Sequence, residues 1–326
     1  QRNSGINTEQ EDFMAINKAM KIALKALSYP DLDIKKNYKL HRQMNTAMHP
    51  YLKPLYKIWD HKIAGTDHDI PVRLFFSKKY REDKPSRVLV FFHGGGWVIG
   101  NIDSYSSVCA NMADQTGATV VSVDYRLAPE YRFPKGLEDC YTVTREIYKY
   151  SGYFNAKSEN IIVIGDSAGG NMAAAVSLMA RDRGEFGVSK QILLYPSTHN
   201  DHSDETGFPS IREFGRDYLL TSRRIRDYMD LYISSEEDLK NQYLAPLIAK
   251  DLSNQPDTLI ITAEYDPLRD EGEAYGKKLK EHGNKVYVYH MKDALHGFIS
   301  LPKHFVHVRR SYEIINKFLD NELLIK

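Results

Sequence analysis

The sequence predicts an α/β protein built on a central, mostly parallel eight-stranded sheet flanked by helices, and three observations carry that reading. Eight short apolar segments alternate with helix-like stretches after about residue 55. Five of them, VLVFF, ATVVSVD, IIVIG, QILLY and TLIIT, are near-continuous apolar runs, as expected of strands covered on both faces. Glycine-rich turns follow two of these runs directly, and helical stretches separate the strands, as crossovers in a parallel sheet require.

Taken in order, the chain opens with apolar residues at Phe13, Ile16, Met20, Leu24 and Leu27, one face of an amphipathic helix that Pro30 ends. A second helix-like stretch runs from Asp33 to about Met48 and is closed by Pro50 and Pro54. The strand candidates are Lys57 to Ile63 and Ile70 to Phe76, expected to form an antiparallel start. They continue with Arg87 to Phe92, Ala118 to Asp124, Ile161 to Gly165, Gln191 to Tyr195, Thr258 to Ala263 and Lys285 to His290. About 60 residues separate Tyr195 from Thr258, far more than a simple crossover needs. Within that interval Thr221 is placed to cap a helix carrying Ile225, Met229 and Tyr232 on one face, so an inserted helical lid is expected. A last helix, with Val308, Tyr312, Ile315 and Leu319 on one face, is expected to pack on the sheet.

Composition excludes several function classes. The 326 residues carry 44 Lys and Arg against 43 Asp and Glu, and this balance has none of the basic excess of a nucleic-acid binder. A chain that is 42% hydrophobic and 27% charged is globular rather than disordered. Two cysteines, Cys109 and Cys140, cannot staple a chain of this length and suit a reducing compartment. No apolar run approaches the roughly 18 residues of a membrane span, and the polar segment after Gln1 lacks the pattern of a secretion signal, so a cytoplasmic protein is expected.

The chemistry is concentrated at strand ends. Directly after IIVIG stands GDSAGG, in which Gly165, Asp166, Ser167, Ala168 and Gly169 form GxSxG ahead of the helix-prone AGGNMAAAVSLMA. Glycines beside the serine permit a sharp strand-to-helix turn that pushes the Ser167 hydroxyl outward, the setting of a nucleophile elbow. After VLVFF comes HGGGW, His93 to Trp97, where bare backbone amides can approach a developing negative charge. Gly94, Gly95 and Ala168 are the candidate oxyanion donors, and His93 is expected to order the loop rather than to act as base. Neither GxGxxG nor a P-loop lysine supports a phosphate site.

A serine hydroxyl needs an imidazole to take its proton and a carboxylate to fix that imidazole, in the chain order Ser, acid, His. His296, in ALHGFIS after the last strand, is the candidate base, whereas His290 falls within that strand and His304 and His307 on the final helix. The stretch AEYDPLRDEG offers Glu264, Asp266, Asp270 and Glu271, of which Asp266 sits in the loop just past the strand. The segment HNDHSDETGFPS holds His199, Asp201, His202 and Asp204, too loosely spaced for a metal site, and is expected to be a solvated loop. No metal or other cofactor is expected.

HGGGW, DYRLAPE (Asp124 to Glu130), FP at Phe133 and Pro134, GDSAGG, DPLRDEG and HGF together resemble the hormone-sensitive-lipase-like family of α/β-hydrolases, the bacterial carboxylesterase and acetyl esterase type. The likeness runs in order from about Arg87 to Phe298. It implies an α/β-hydrolase fold over residues 1–326, with a helical cap from about 1–54 and about 198–240. It also implies Ser167, Asp266 and His296 as triad and Gly94, Gly95 and Ala168 as oxyanion donors. Glu264 and Tyr265 depart from the small residue and glycine often found before the family's acid.

The expected function is hydrolysis of short-chain acyl esters, small-molecule substrates, through an acyl-enzyme. Trp97, Phe208, Phe214, Tyr218 and Phe298 are candidates to line the pocket, and a homodimer is the one candidate protein partnership. A ligand-binding member without catalysis, or an amidase or acyltransferase using the same triad, is the alternative.

Overall fold

The computed structural model describes residues 25, 33–48, 58–78 and 86–323. The apolar residues of the first helical pattern, Phe13 to Leu27, lie outside them. The strands are β1 Ile58–Ala64, β2 Asp69–Phe75, β3 Val88–Phe92, β4 Thr119–Val123, β5 Ile161–Asp166, β6 Lys190–Leu194, β7 Asp257–Tyr265 and β8 Val286–Leu295. They form a single sheet in the order β1-β2-β4-β3-β5-β6-β7-β8. β2 pairs antiparallel with β1 and β4, and every later pairing is parallel. β8 runs five residues past the expected His290, because pairing with β7 resumes across a bulge at Tyr265 and Leu295. The polar Lys292 and Asp293 hide this extension from an apolar-run reading.

The helices are α1 Ile34–Met48, α2 Ser106–Thr116, α3 Lys135–Lys149, α4 Ala168–Arg183, α5 Pro209–Phe214, α6 Ser222–Tyr232, α7 Arg269–Glu281 and α8 Val306–Leu319. Strand alternation divides the core between the two sheet faces. Leu89, Phe91, Ile162 and Ile164 pack with Val108 and Met112 of α2 and with Val308, Tyr312 and Ile315 of α8. Val88, Val90, Phe92, Ile161 and Val163 pack with Leu137 of α3, Met172 and Val176 of α4, and Tyr275 and Leu279 of α7. α8 begins at Val306, so His307 lies on it while His304, expected there too, precedes it.

α4 positions the site. All its residues from Ala168 to Ala180 are buried, and its alanines and glycines let it lie close on the sheet. A Cβ on Gly169 would stand 1.9 Å from the Phe92 carbonyl oxygen, so only glycine fits where the helix starts. In the long interval before β7, the Thr221 hydroxyl accepts from the Arg224 amide at 3.1 Å and caps α6, as the sequence predicts. α1 reaches this same helix through Lys35, which pairs with Asp230 and lies 3.4 Å from Asp227.

Candidate active site

β5 ends at Asp166 and α4 begins at Ala168, leaving Ser167 alone on the turn with φ 56 and ψ −119, a strained backbone for a residue with a side chain. The turn is over-determined: the Ser167 amide donates to the Leu194 carbonyl at 2.9 Å, and its carbonyl accepts from the Asn171 amide at 3.0 Å. The end of β8 brings His296 to it. His296 Nε2 is 2.8 Å from Ser167 Oγ, and Nδ1 is 2.7 Å from Asp266 Oδ2. A carboxylate beside Nδ1 places the ring proton there, which leaves Nε2 to accept from the serine hydroxyl. Asp266 is fully buried, and its other oxygen accepts from the Leu268 amide at 2.9 Å.

The remaining acids and histidines have other partners. Glu264 accepts from the Asp293 amide, and Asp270 from the Ser210 amide. Glu271, buried on α7, accepts from the amides of Thr198 and His199 at 2.6 and 3.1 Å. His290 meets Glu273 at 3.1 Å, and His307 lies 3.2 Å from the Lys292 carbonyl.

His93 is fully buried, stacks on Tyr125 at 4.4 Å, and donates from Nδ1 to the Gly94 carbonyl at 2.8 Å. Burial pushes its pKa down, so it is a neutral part of the loop. The structure corrects the expectation for Gly94, whose amide donates to Asp166 Oδ1 at 2.8 Å and is thus already engaged. The cavity beside Ser167 is lined instead by Gly95, Gly96 and Ala168. Gly95 has φ 119, and Gly96 has φ 60 with the Tyr228 ring pressed on it, so that a Cβ would stand 2.4 Å from that ring. Asp166 also accepts from the Tyr105 hydroxyl at 3.0 Å. Burial pushes its pKa up to about 6, although the hydrogen bonds from Tyr105 and Gly94 favour the charged form.

The cavity has a volume of about 180 Å³, and Trp97, Tyr105, Ser197, Leu220, Ile225, Tyr228, Leu268 and His296 complete its walls. Of the aromatic residues expected there, Trp97 lines it and four do not. Phe298 is buried under the sheet, edge-on to Tyr195 at 4.9 Å. Phe208 packs against a small cluster of Ile211, Ile225 and Leu268 and against the His199 ring. Phe214 and Tyr218 pack on each other and on Tyr265, one of the two residues noted above before Asp266. The walls that sequence reading missed come from α6 and the loop before it, with Leu220, Ile225 and Tyr228, and from the turns that hold Tyr105, Ser197 and Leu268. Ile225 and Tyr228, three apart on one helix, were the available signal.

The loop holding His199, Asp201, His202 and Asp204 is not wholly solvated, which corrects a second expectation. His202 is 3% exposed, and its Nε2 stands 2.8 Å from the buried Glu271 carboxylate. Among the described residues no group of three or more His, Cys, Asp or Glu side chains could hold a metal ion, and no helix is long and apolar enough to cross a membrane.

A family model described as alpha/beta hydrolase fold matches residues 89–300. The chain belongs to the hormone-sensitive-lipase-like family of α/β-hydrolases. An arylesterase of Saccharolobus solfataricus is 35% identical over 251 residues, 77% of this chain and 79% of the relative. The carboxylesterase NlhH of Mycobacterium tuberculosis is 36% identical over 265 residues, 79% of this chain and 80% of that one. A solved hyperthermophilic esterase from the archaeon Pyrobaculum calidifontis superimposes with a TM-score of 0.82 at 32% identity, covering 94% of this chain and 99% of its own. The chain has the α/β-hydrolase fold of this family, an eight-stranded, mostly parallel sheet flanked by helices.

Proposed function

We propose that this chain, a carboxylic-ester hydrolase by family, cleaves short-chain acyl esters through an acyl-enzyme formed on Ser167. The observation that carries the reading is the relay of Ser167, His296 and Asp266, at 2.8 and 2.7 Å, opening on an apolar cavity. Ser167 Oγ attacks the ester carbonyl carbon while its proton passes to His296 Nε2. The carbonyl oxygen becomes an oxyanion, and the amides of Gly95, Gly96 and Ala168 are the donors we assign to it. Loss of one such donor typically costs 10²- to 10³-fold in kcat. Collapse of the tetrahedral intermediate expels the alcohol, which takes the proton from His296. Water then attacks the acyl carbon as His296 accepts its proton, and the acid leaves with Ser167 restored. Asp266 holds the Nδ1 proton and stabilises the imidazolium.

The short-chain preference rests on the size of the cavity, about 180 Å³ between Leu220, Ile225, Tyr228 and Leu268. In the same reading the chain is one catalytic domain whose cap comprises α1 and the insertion of about 198–240, with α6 as the wall over the site. Cytoplasmic placement rests on the free, buried Cys109 and Cys140. Homodimer formation would use an edge strand of the sheet, β1 or β8, and light scattering in solution tests it.

The deciding experiment combines Ser167→Ala with fluorophosphonate labelling. Turnover of p-nitrophenyl acetate should vanish in the variant, and the label should attach to Ser167 of the native chain. Retained turnover, or an unlabelled Ser167, overturns the reading in favour of another nucleophile or a ligand-binding protein. A series of p-nitrophenyl esters from acetate to palmitate, with an anilide and an added alcohol, separates esterase from lipase, amidase and acyltransferase.

A further inference from the structure

The loop carrying Gly95 and Gly96 is held at both ends by side chains. At its start, the Gly94 amide is fixed by Asp166. At its end stands Arg42, a residue of α1 that takes no part in the ester chemistry. Its Nε donates to the Val98 carbonyl at 2.7 Å and its Nη2 to the Ala128 carbonyl at 2.7 Å. Nη1 and Nη2 also meet the Glu130 carboxylate at 3.0 and 2.9 Å, and the guanidinium lies 4.9 Å from the Tyr38 ring centre. All three guanidinium nitrogens are therefore engaged.

The acceptors lie on two neighbouring segments that are themselves joined. The Ala128 amide donates to the Trp97 carbonyl at 2.9 Å, while the Val98 and Ile99 amides both close on the Gly95 carbonyl. One planar cation thus bridges the far end of the oxyanion turn and the turn at 128–130. Its fixed fork matches two carbonyls and a carboxylate at once, which a lysine ammonium cannot reproduce. The ion pair with Glu130 is partly exposed and contributes little by itself. The bonds to Val98 and Ala128 are the ones that restrict the loop.

We propose that Arg42 is a positioning residue for ester hydrolysis, setting the direction of the Gly95 and Gly96 amides by anchoring Val98 and Ala128 to α1. This rests on the assignment of those amides and of Ser167 made above. It makes the formation of a competent oxyanion site depend on the seating of the first described helix, which Lys35 also ties to α6.

The test compares Arg42→Ala and Arg42→Lys in the full chain. It measures kcat and KM for p-nitrophenyl acetate, melting temperature, and inhibition by an aryl trifluoromethyl ketone. Addition of Ser167 Oγ to the ketone carbon turns its carbonyl into an oxyanion. A displacement of about 1 Å in a positioning contact can cost 10²-fold in rate. Arg42→Ala should lower kcat between tenfold and hundredfold with KM within about twofold, and should weaken the ketone by the same factor. Arg42→Lys should fall between it and the native chain. Native kcat and ketone affinity in Arg42→Ala, or a change confined to KM or melting temperature, overturns the proposal. If Arg42→Ala does not fold, Arg42→Lys decides, and native values there overturn it equally. Activity surviving Ser167→Ala would instead sink the underlying reading.

Discussion

Asp166 is a buried carboxylate next to Ser167, and it takes no part in the proton transfers of the proposed reaction. Its pKa is raised from 3.8 to about 6, with burial as the main cause. A rise of about 2 units corresponds to about 3 kcal/mol at 1.36 kcal/mol per unit. Because the folded chain holds this proton more tightly than the unfolded chain, the associated stability is present below about pH 4 and is lost as pH rises through about 6. Near pH 7 the charged group therefore opposes folding. Asp166→Asn removes that charge and keeps the shape: Oδ1 can still accept from the Gly94 amide, and Nδ2 can donate to the Tyr105 oxygen while the phenol proton turns to Ser300. Urea denaturation of both proteins from pH 4 to 7.5 supplies the test, since other titrating groups cancel in the difference between them. The stability of Asp166→Asn relative to the native chain should rise with pH by up to about 3 kcal/mol. A difference that stays flat or falls refutes the reasoning. Tyr105→Phe removes a bond that favours the charged form and should move the window upward.

Two other perturbations probe the cavity, and a third probes a buried amide behind it. Gly96→Ala would put a Cβ 2.4 Å from the Tyr228 ring at φ 60, and kcat/KM should drop roughly hundredfold. Adding Tyr228→Ala should recover part of the loss, and no recovery would locate the damage elsewhere. Ile225→Ala removes a wall and should move the best substrate in a p-nitrophenyl ester series toward longer acyl chains, whereas an unchanged profile would show that Ile225 does not limit length. In Asn171, Nδ2 donates to the carbonyls of Ser197 and Leu244 at 2.9 and 2.8 Å. Asn171→Ala leaves both acceptors buried, at about 1–3 kcal/mol each, so the melting temperature should fall by several degrees. An unshifted melt would mean that other donors replace the amide.

The central strands β3 to β7 were legible because each is a short apolar run whose two faces meet separate halves of one core, as Leu89 and Val90 do. Ser167, Asp266 and His296 were legible for a related reason. Each lies in a motif beyond an apolar strand run whose composition is itself local information, and the structure places His296 within hydrogen-bonding distance of both Ser167 and Asp266. The C-terminal extension of β8 was not legible, since it depends on pairing across a bulge rather than on its own apolar content.

What the sequence determined by itself was therefore the inventory: eight strands, an elbow, a glycine-rich loop, and the types of residue able to move a proton. The tertiary structure decided how they are used. Which glycine amide is free depends on Asp166, 72 residues from Gly94 in sequence but on the adjacent strand β5. The burial of His202 depends on Glu271 of α7, and the cavity wall depends on how α6 lies over Gly96. Local patterns report backbone conformation and burial, which neighbouring residues largely set. A hydrogen-bond partner or a pocket wall arises between distant segments, and only their packing determines which side chains meet.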